Sequence, residues 1–228
     1  MHEQKIALIT GSSRGIGAAI ATLFAQKGYA IVLCGRTKKD LDIHAEAIKK
    51  LSVECLSLQC DVTHIHDVKK VIHETYKHFG RVDILINNAG YAVYKPLLET
   101  TDDEYETTMN TNVRGIFFFC KEILPLMKKQ RFGTIINVSS EAGKRGFQGL
   151  SVYCASKFAV IGLTESIAHE VSENVNVCTV CPGSVNTDMY RGLFHGEDYT
   201  TIDQPEDIAQ RIWTIVERGV KNGESYTI

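Results

Sequence analysis

Tyr153 and Lys157 lie four positions apart in a stretch with helical periodicity, so their side chains are expected on one helix face. An unperturbed tyrosine phenol has a pKa of about 10, which is too high for efficient proton transfer at neutral pH. A neighbouring ammonium favours the phenolate, so Lys157 is expected to lower the pKa of Tyr153. The pair therefore suits general acid–base chemistry at a phenol.

A glycine-rich turn, TGSSRGIG at residues 10–17, follows the first apolar run and leads directly into a helical stretch. Glycines let the backbone turn tightly and approach a pyrophosphate, and a helix N-terminus offers free N–H groups and a positive dipole end. The spacing is G-x-x-x-G-x-G, and no Lys-Ser/Thr pair completes a Walker A loop. The turn predicts a dinucleotide site.

Short runs rich in Ile, Val and Leu alternate with amphipathic stretches along the chain. The predicted strands are Lys5–Thr10, Ala30–Cys34, Glu54–Gln59, Val82–Ile86, Thr134–Val138 and Val175–Val180. The predicted helices are Ile16–Lys27, Lys38–Leu51, Ile65–Phe79, Asp102–Lys129 and Val152–Val171. Such alternation is typical of an α/β fold, a Rossmann-type, doubly wound parallel sheet with helices on both faces. We expect one domain over residues 1–228.

Ligands of such sheets bind outside the carboxyl ends of the strands, and the chemical motifs of this chain cluster there. The motifs resemble those of the short-chain dehydrogenase/reductase family, in its NADP-preferring branch. They are the glycine turn, Asn87-Asn88-Ala89-Gly90, Ser140 with Tyr153-x-x-x-Lys157, and PGSVNT at residues 182–187. Together they extend over about residues 5–189 and are similar to those of 3-oxoacyl-[acyl-carrier-protein] reductases and carbonyl reductases.

The resemblance implies four catalytic residues: Asn112, Ser140, Tyr153 and Lys157. In the family the tyrosine exchanges a proton with the carbonyl oxygen, and the serine hydrogen-bonds the same substrate oxygen. The lysine adjusts the pKa of the tyrosine and holds the nicotinamide ribose. The asparagine, here in an N-x-x-G element at residues 112–115, interrupts a long helix and holds a water that links the lysine to solvent. Ser139 and Asn110 are neighbouring alternatives that fit the family spacing less well.

The resemblance also implies an NADP(H) site. Its residues are Gly11, Ser13, Arg14, Gly15, Ile16, Gly17, Arg36, Asp61, Val62, Asn88, Ala89, Gly90, Tyr153, Lys157, Pro182, Gly183, Val185 and Thr187. NAD-using relatives end the second strand with an acidic residue, whereas this chain has Gly35 followed by Arg36. Arg14 and Arg36 are expected to hold the 2′-phosphate of NADP(H), with no carboxylate opposing them.

The substrate pocket is expected to form from Tyr91–Tyr94, Glu141–Gln148 and Ser184–Tyr199, with a short lid at about residues 187–204. These segments supply five aromatic side chains for an apolar slot: Tyr91, Tyr94, Phe147, Tyr190 and Phe194. The expected reaction is reduction of a ketone, a 3-oxoacyl or small apolar carbonyl compound, to a secondary alcohol. The alternatives are a sugar, diketone or quinone substrate, or a non-catalytic NADP(H)-sensing protein.

Two features bear on partners. Lys128, Lys129 and Arg131 fit one basic patch for an acyl carrier protein, but the second basic position of such relatives is Glu173 or Asn174 here, which argues against carrier docking. The C-terminal residues 224–228 are expected to lack the last strand and glycine pair that the resemblance implies for tetramer packing. A homodimer through the helices at 102–129 and 152–171 is therefore expected, with a homotetramer as the alternative.

Composition and charge exclude several other classes of protein. With 25 Lys+Arg against 27 Asp+Glu, the net charge of −2 gives no basic excess for nucleic acid or an anionic membrane. The apolar run after the N-terminus is too short for a signal peptide, and seven cysteines suit a reducing cytoplasm. Cys178 and Cys181 are interpreted as core thiols of a strand. No metal site is expected at the histidines around one predicted helix: His64, His66, His73 and His78.

Overall fold

The computed structural model describes residues 4–171, 174–196 and 198–228. Within these residues seven parallel strands form one sheet in the order β3-β2-β1-β4-β5-β6-β7. The strands are β1 Ile6–Thr10, β2 Ala30–Gly35, β3 Cys55–Gln59, β4 Ile84–Asn87, β5 Gly133–Val138, β6 Val175–Cys181 and β7 Ser225–Thr227. The helices are α1 Gly15–Gln26, α2 Lys38–Lys49, α3 Ile65–Phe79, α4 Asp102–Met109, α5 Gly115–Gln130, α6 Ser151–Glu170, α7 Asp188–Leu193 and α8 Pro205–Arg218.

The sheet is covered on both faces, which explains why the central strands are apolar without alternation. One face packs against α3, α5 and α6 through a core that includes Leu8, Phe119 and Ile123. The other packs against α1, α2 and α8 through a core that includes Ile9 and Phe24. The predicted α/β class, a doubly wound parallel sheet, is confirmed.

The six predicted strands overlap observed strands, and their bounds differ by at most two residues. Four predicted helices agree equally well, but the stretch predicted as one long helix at Asp102–Lys129 is interrupted, as the family resemblance implies for Asn112. It consists of α4, a π-helical turn at Asn110–Arg114, and α5. A capping box sets the N-terminus of α4: the side chains of Thr101 and Glu104 each accept a hydrogen bond from the other's backbone N–H group.

The expectation that no last strand follows α8 is also wrong. β7 pairs in parallel with the end of β6, Val180 opposite Tyr226. The Lys144 ammonium donates to the Ser225 carbonyl oxygen at 2.9 Å and to the Thr227 hydroxyl at 2.8 Å. A three-residue strand has no apolar run of its own, so its formation depends on the neighbouring strand.

The connections place the chemical motifs at one edge of the sheet. β1 lies between β2 and β4, so the chain crosses from one half of the sheet to the other beside β1. This is the topological switch point at which doubly wound sheets bind their ligands. No helix within the described residues is both long and apolar enough to cross a membrane.

Phe24 anchors the core on the α1 face. Its side chain is fully buried, with its ring centroid 5.2 Å from that of Tyr29 and 5.3 Å from that of Trp213. Phe24→Ala should lower the free energy of unfolding by about 3–5 kcal/mol in urea denaturation, because it removes packing on two rings and leaves a cavity. Leu98→Ala is the control, since Leu98 is 98% exposed. Equal effects of the two substitutions would contradict this assignment of the core.

Candidate active site

The glycine turn is held by an asparagine from the neighbouring strand end. The Asn88 Nδ2 donates to the Thr10 carbonyl oxygen at 3.0 Å and to the Gly11 carbonyl oxygen at 3.2 Å. A Cβ at Gly17 would lie 2.3 Å from the Gly11 oxygen and 2.5 Å from Asn88 Nδ2, and Gly11 itself has a φ of +64°. The turn therefore requires glycine at position 17 because a Cβ would clash there, and at position 11 because the backbone is left-handed.

The turn opens onto a cleft of about 910 Å³ along the carboxyl ends of the strands. Predicted site residues that line it are Gly11, Ser13, Arg14, Gly15, Ile16, Arg36, Asp61, Val62, Asn88, Ala89, Gly90, Ser140, Tyr153, Lys157, Pro182, Gly183, Val185 and Thr187. Gly17 and Asn112 lie behind this lining. Helix α1 begins at Gly15 without a side-chain cap, so its first N–H groups are available at the cleft.

The two arginines line the cleft, and both are exposed. The expectation that no carboxylate opposes them is wrong for Arg14, whose guanidinium is 3.5 Å from the Asp188 carboxylate on α7. Both side chains of this pair are more than half exposed, so the attraction is weak. Asp40 also lines the cleft. Gly35 leaves room at the end of β2, since an added Cβ would lie 3.4 Å from the Leu41 side chain.

Asp61, expected at the adenine end, follows β3 and accepts hydrogen bonds from the backbone N–H and the hydroxyl of Thr63. Burial opposes its ionisation, but these bonds hold the pKa of the carboxyl below its usual value. Asn87, the first residue of the Asn-Asn-Ala-Gly motif, bridges β4 and β5 by donating to the Asn137 Oδ1 at 2.8 Å.

Tyr153 and Lys157 share one face of α6, as their spacing predicts. The Lys157 ammonium is 4% exposed, lies 5.5 Å from the centroid of the Tyr153 ring, and donates to the Val138 carbonyl oxygen at 2.9 Å. Burial lowers the pKa of Lys157 to about 8. Burial also raises the pKa of Tyr153 to about 12, against the opposing effect of a hydrogen bond with Ser140. The expected lowering of the Tyr153 pKa by Lys157 is therefore not found, because desolvation dominates.

The two serines after β5 have different surroundings. Ser139 is buried, and its hydroxyl donates to the Lys157 carbonyl oxygen at 2.8 Å. Ser140 lies beside Tyr153 in the cleft, where its hydroxyl accepts from the Ala142 N–H at 3.2 Å and donates to the Pro182 carbonyl oxygen at 3.4 Å. The geometry thus gives Ser139 a bracing contact and leaves Ser140 facing the cleft.

Asn112 is fully buried in the π-helical turn between α4 and α5. Its Oδ1 accepts from the Tyr91 N–H at 2.8 Å, and its Nδ2 donates to the Tyr91 carbonyl oxygen and to the Ser156 hydroxyl, both at 2.9 Å. The Ser156 hydroxyl donates in turn to the Tyr153 carbonyl oxygen at 2.7 Å. Asn112 therefore ties the Asn-Asn-Ala-Gly segment to α6. Asn110 lines the cleft and contacts Glu106 instead.

The far end of the cleft is largely apolar. Its lining includes Phe147, Leu150, Met189, Tyr190, Leu193 and Phe194. Two of the aromatic residues predicted there are misplaced. Tyr91 and Tyr94 lie outside the lining, and the Tyr94 ring packs behind Phe194 at a centroid distance of 5.0 Å.

Leu150 lies outside the predicted pocket segments but lines the cleft, because an apolar side chain beside a helix start resembles an ordinary core residue in sequence. Helix α7 begins the predicted lid, where the Thr187 hydroxyl accepts from the Tyr190 N–H at 3.2 Å. The base of this segment is closed by the Asn186 N–H, which donates to the Asp203 carbonyl oxygen at 2.8 Å.

Other predicted features lie away from the cleft. Cys178 and Cys181 are buried free thiols on β6. Within the part of the chain that the structure describes, no group of three His, Cys, Asp or Glu side chains could hold a metal ion. Of the two positions compared with a carrier-docking residue, Asn174 precedes β6 and Glu173 lies outside the described residues.

Comparison with known proteins agrees with this geometry. The family model for the short chain dehydrogenases matches residues 5–198. The chain belongs to the short chain dehydrogenase family. The match includes the glycine turn, the Ser140, Tyr153 and Lys157 positions, and the start of the predicted lid.

Relatives of this short chain dehydrogenase include 3-oxoacyl-[acyl-carrier-protein] reductases. FabG of Staphylococcus epidermidis is 38% identical over 191 residues, 83% of this chain and 78% of the relative. FabG of Thermotoga maritima is 34% identical over 219 residues, 92% of this chain and 89% of the relative. A solved structure of a variant actinorhodin polyketide ketoreductase with NADPH has a TM-score of 0.92 at 24% identity, and the match covers 100% of this chain and 97% of that one. This last likeness supports the fold.

The buried ammonium of Lys157 should make stability depend on pH. Its pKa falls from 10.5 in the unfolded chain to about 8 in the folded chain, so the charged form costs about 3 kcal/mol of folding free energy below pH 8. This cost disappears as the pH rises from about 8 to about 10.5. Any stability advantage of Lys157→Met over the wild type should therefore shrink by up to about 3 kcal/mol across that range. Urea denaturation at several pH values tests this, and parallel profiles would contradict it.

Proposed function

We propose that this chain is an NADP(H)-dependent oxidoreductase that interconverts a ketone and a secondary alcohol, with Tyr153 as the general acid and base. The observation that carries the proposal is that Ser140, Tyr153 and Lys157 line one cleft together with the glycine turn. A non-catalytic NADP(H)-sensing protein is the alternative. It has no need of a proton donor beside the cofactor site, so the intact catalytic set favours the enzyme.

The cleft fits a dinucleotide at its glycine-rich end. A pyrophosphate needs close backbone approach and free N–H groups, and the uncapped start of α1 beside Gly11 and Gly15 offers both. Arg14 and Arg36 would bind the 2′-phosphate, Asp61 would contact the adenine, and Val185 with Thr187 would hold the nicotinamide carboxamide. The bound cofactor would supply the hydride for the carbonyl carbon.

The chain's own residues then have distinct tasks. The Ser140 hydroxyl and the Tyr153 phenol bind the substrate oxygen, and the phenol donates a proton to it as negative charge develops. With a pKa of about 12 the phenol is protonated at neutral pH, as reduction requires. Lys157, whose pKa of about 8 lies close to neutrality, can return a proton toward the phenol and hold the nicotinamide ribose. Asn112 would hold a water that links the Lys157 ammonium to solvent, as the family resemblance implies.

The substrate is proposed to be a 3-oxoacyl or small apolar carbonyl compound. The apolar far end of the cleft supports this, as do the names of the 3-oxoacyl-[acyl-carrier-protein] reductase relatives. Docking of an acyl carrier protein is not part of the proposal, because the second basic position of such relatives is Glu173 or Asn174 here. A sugar needs polar partners for its hydroxyl groups, and Phe147, Leu150, Leu193 and Phe194 offer it apolar surface instead. Activity measured over acetoacetyl thioesters, diketones, quinones and sugar ketones discriminates these classes.

We also propose a homodimer in the cytoplasm. The half-exposed Phe117 on α5 and Phe158 on α6 support an interface on these helices, where burying aromatic surface is favourable. Seven cysteines without disulfides suit a reducing compartment.

Tyr153→Phe should reduce turnover by about 10²–10⁴-fold, because it removes the proposed proton donor and leaves the ring in place. NADPH binding should persist, measured by fluorescence titration of the variant. Tyr105→Phe is the matched control, since its exposed ring lies on α4 and should leave turnover unchanged. Near-wild-type turnover by Tyr153→Phe would refute the role of the phenol.

Wild-type protein should prefer NADPH over NADH by about tenfold or more in kcat/KM, since one hydrogen bond between charged groups contributes about 1.5–3 kcal/mol. Gly35→Asp combined with Arg36→Ala should reverse the order, because a carboxylate repels the 2′-phosphate and binds a ribose hydroxyl instead. A Cβ at position 35 would make van der Waals contact with the Leu41 side chain. Comparable dissociation constants of the two cofactors for wild-type protein would contradict the preference.

A further inference from the structure

His44 on α2 contacts the glycine turn from outside the cleft. Its Nδ1 lies 2.9 Å from the Ser12 carbonyl oxygen, and its Nε2 lies 3.1 Å from the Thr22 hydroxyl oxygen on α1. The ring is partly buried and does not line the cleft. It therefore joins two helices to the turn without being available to a ligand.

The partners of the ring define how its protons are arranged. A carbonyl oxygen can accept a hydrogen bond but cannot donate one, so Nδ1 must carry the hydrogen. In the neutral ring Nε2 is then unprotonated and accepts from the Thr22 hydroxyl. Both ring nitrogens are satisfied in this one tautomer, which fixes the orientation of the imidazole.

Ser12 is the point at which this contact reaches the cofactor end of the cleft. The residue is fully buried, its hydroxyl accepts from the Cys34 N–H at 2.9 Å, and its own N–H donates to the Cys34 carbonyl oxygen at 3.2 Å. Cys34 precedes Gly35 and Arg36 at the end of β2. The three residues after Ser12, at positions 13–15, line the cleft.

The turn is thus held from two sides. Asn88 binds its first carbonyl groups, at Thr10 and Gly11, and His44 binds the next one, at Ser12. Those three carbonyl oxygens are engaged by side-chain donors. The backbone N–H groups at the cleft can then keep one arrangement before a ligand binds, which lowers the entropy cost of binding.

We propose that His44 is a positioning residue for the cofactor, acting through the Ser12 carbonyl oxygen to hold the phosphate-binding turn in its binding conformation. The inference rests on the proposed NADP(H)-dependent function and extends it to a residue that touches neither cofactor nor substrate.

Two amide variants separate the two ring contacts. In His44→Asn the side-chain amide nitrogen occupies about the place of Nδ1 and can still donate to Ser12, whereas in His44→Gln it occupies about the place of Nε2. The dissociation constant of NADPH should rise about three- to tenfold for His44→Gln and His44→Leu, and stay within about twofold of wild type for His44→Asn. The kcat at saturating NADPH and the KM of the carbonyl substrate should not change.

A merely structural role gives the opposite order, because glutamine is a better helix former than asparagine. His73→Leu, at an exposed position on α3, is the control and should leave the dissociation constant unchanged. Wild-type affinity in His44→Leu, or wild-type affinity in His44→Gln together with weakened binding in His44→Asn, would overturn the inference.

Failure of the proposed function can be distinguished from failure of the inference about His44. If wild-type protein binds neither NADPH nor NADH, that function fails, and amide hydrogen exchange of residues 13–15 then tests the positioning directly. Exchange should be faster in His44→Leu and His44→Gln and unchanged in His44→Asn. Equal exchange in all variants would also overturn the inference.

Discussion

The burial of the Lys157 ammonium constrains the rest of the site. A charged amine loses hydration when it is buried, and the lowered pKa measures that cost. The structure holds the residue at both ends: Val138 accepts from the ammonium, and Ser139 donates to the backbone carbonyl oxygen. Gly143 permits this close packing, since a Cβ there would lie 2.7 Å from the same carbonyl oxygen. The end of β5 and the turn after it are therefore arranged around one lysine.

This arrangement also prepares the lysine for a ligand. An ammonium carries three N–H donors, and among the described residues the Val138 oxygen is the acceptor that it contacts. Two donors can thus serve ligand oxygens, which would restore part of the lost hydration. A residue that destabilises the free protein in this way is typical of a functional site.

The sequence was sufficient for the parts of the molecule that depend on local pattern. Apolar runs located β1 to β6, and the carboxyl-end rule brought Ser140, Tyr153 and the glycine turn to one cleft. Periodicity alone does not predict the π-helical turn, because the helical pattern continues through residues 110–114 and the turn depends on the hydrogen bond between Asn112 and the Tyr91 backbone. The interruption at Asn112 follows from the family resemblance instead. β7 likewise needs its neighbouring strand.

Electrostatics and tertiary contacts were harder to foresee for the same reason. The spacing of Tyr153 and Lys157 was correct, but the direction of the Tyr153 pKa follows from burial, which spacing does not reveal. The contact of Arg14 with Asp188 joins residues far apart in the chain, and so does that of His44 with Ser12. Tyr94 is an aromatic residue next to the pocket, yet the backbone turns its ring behind Phe194.

The two ends of the cleft differ in how firmly they are built. The end at the glycine turn consists of strand ends, glycine backbone and buried polar side chains, where most substitutions disturb the sheet itself. The opposite end depends on α7, a six-residue helix with no buried residue, and on Phe147 and Met189, which are both exposed. Segments with few buried contacts open at low free-energy cost and tolerate change. Substrate choice is therefore expected to vary through α7 and its neighbours, while the buried Lys157 and the glycine turn hold the reaction chemistry constant.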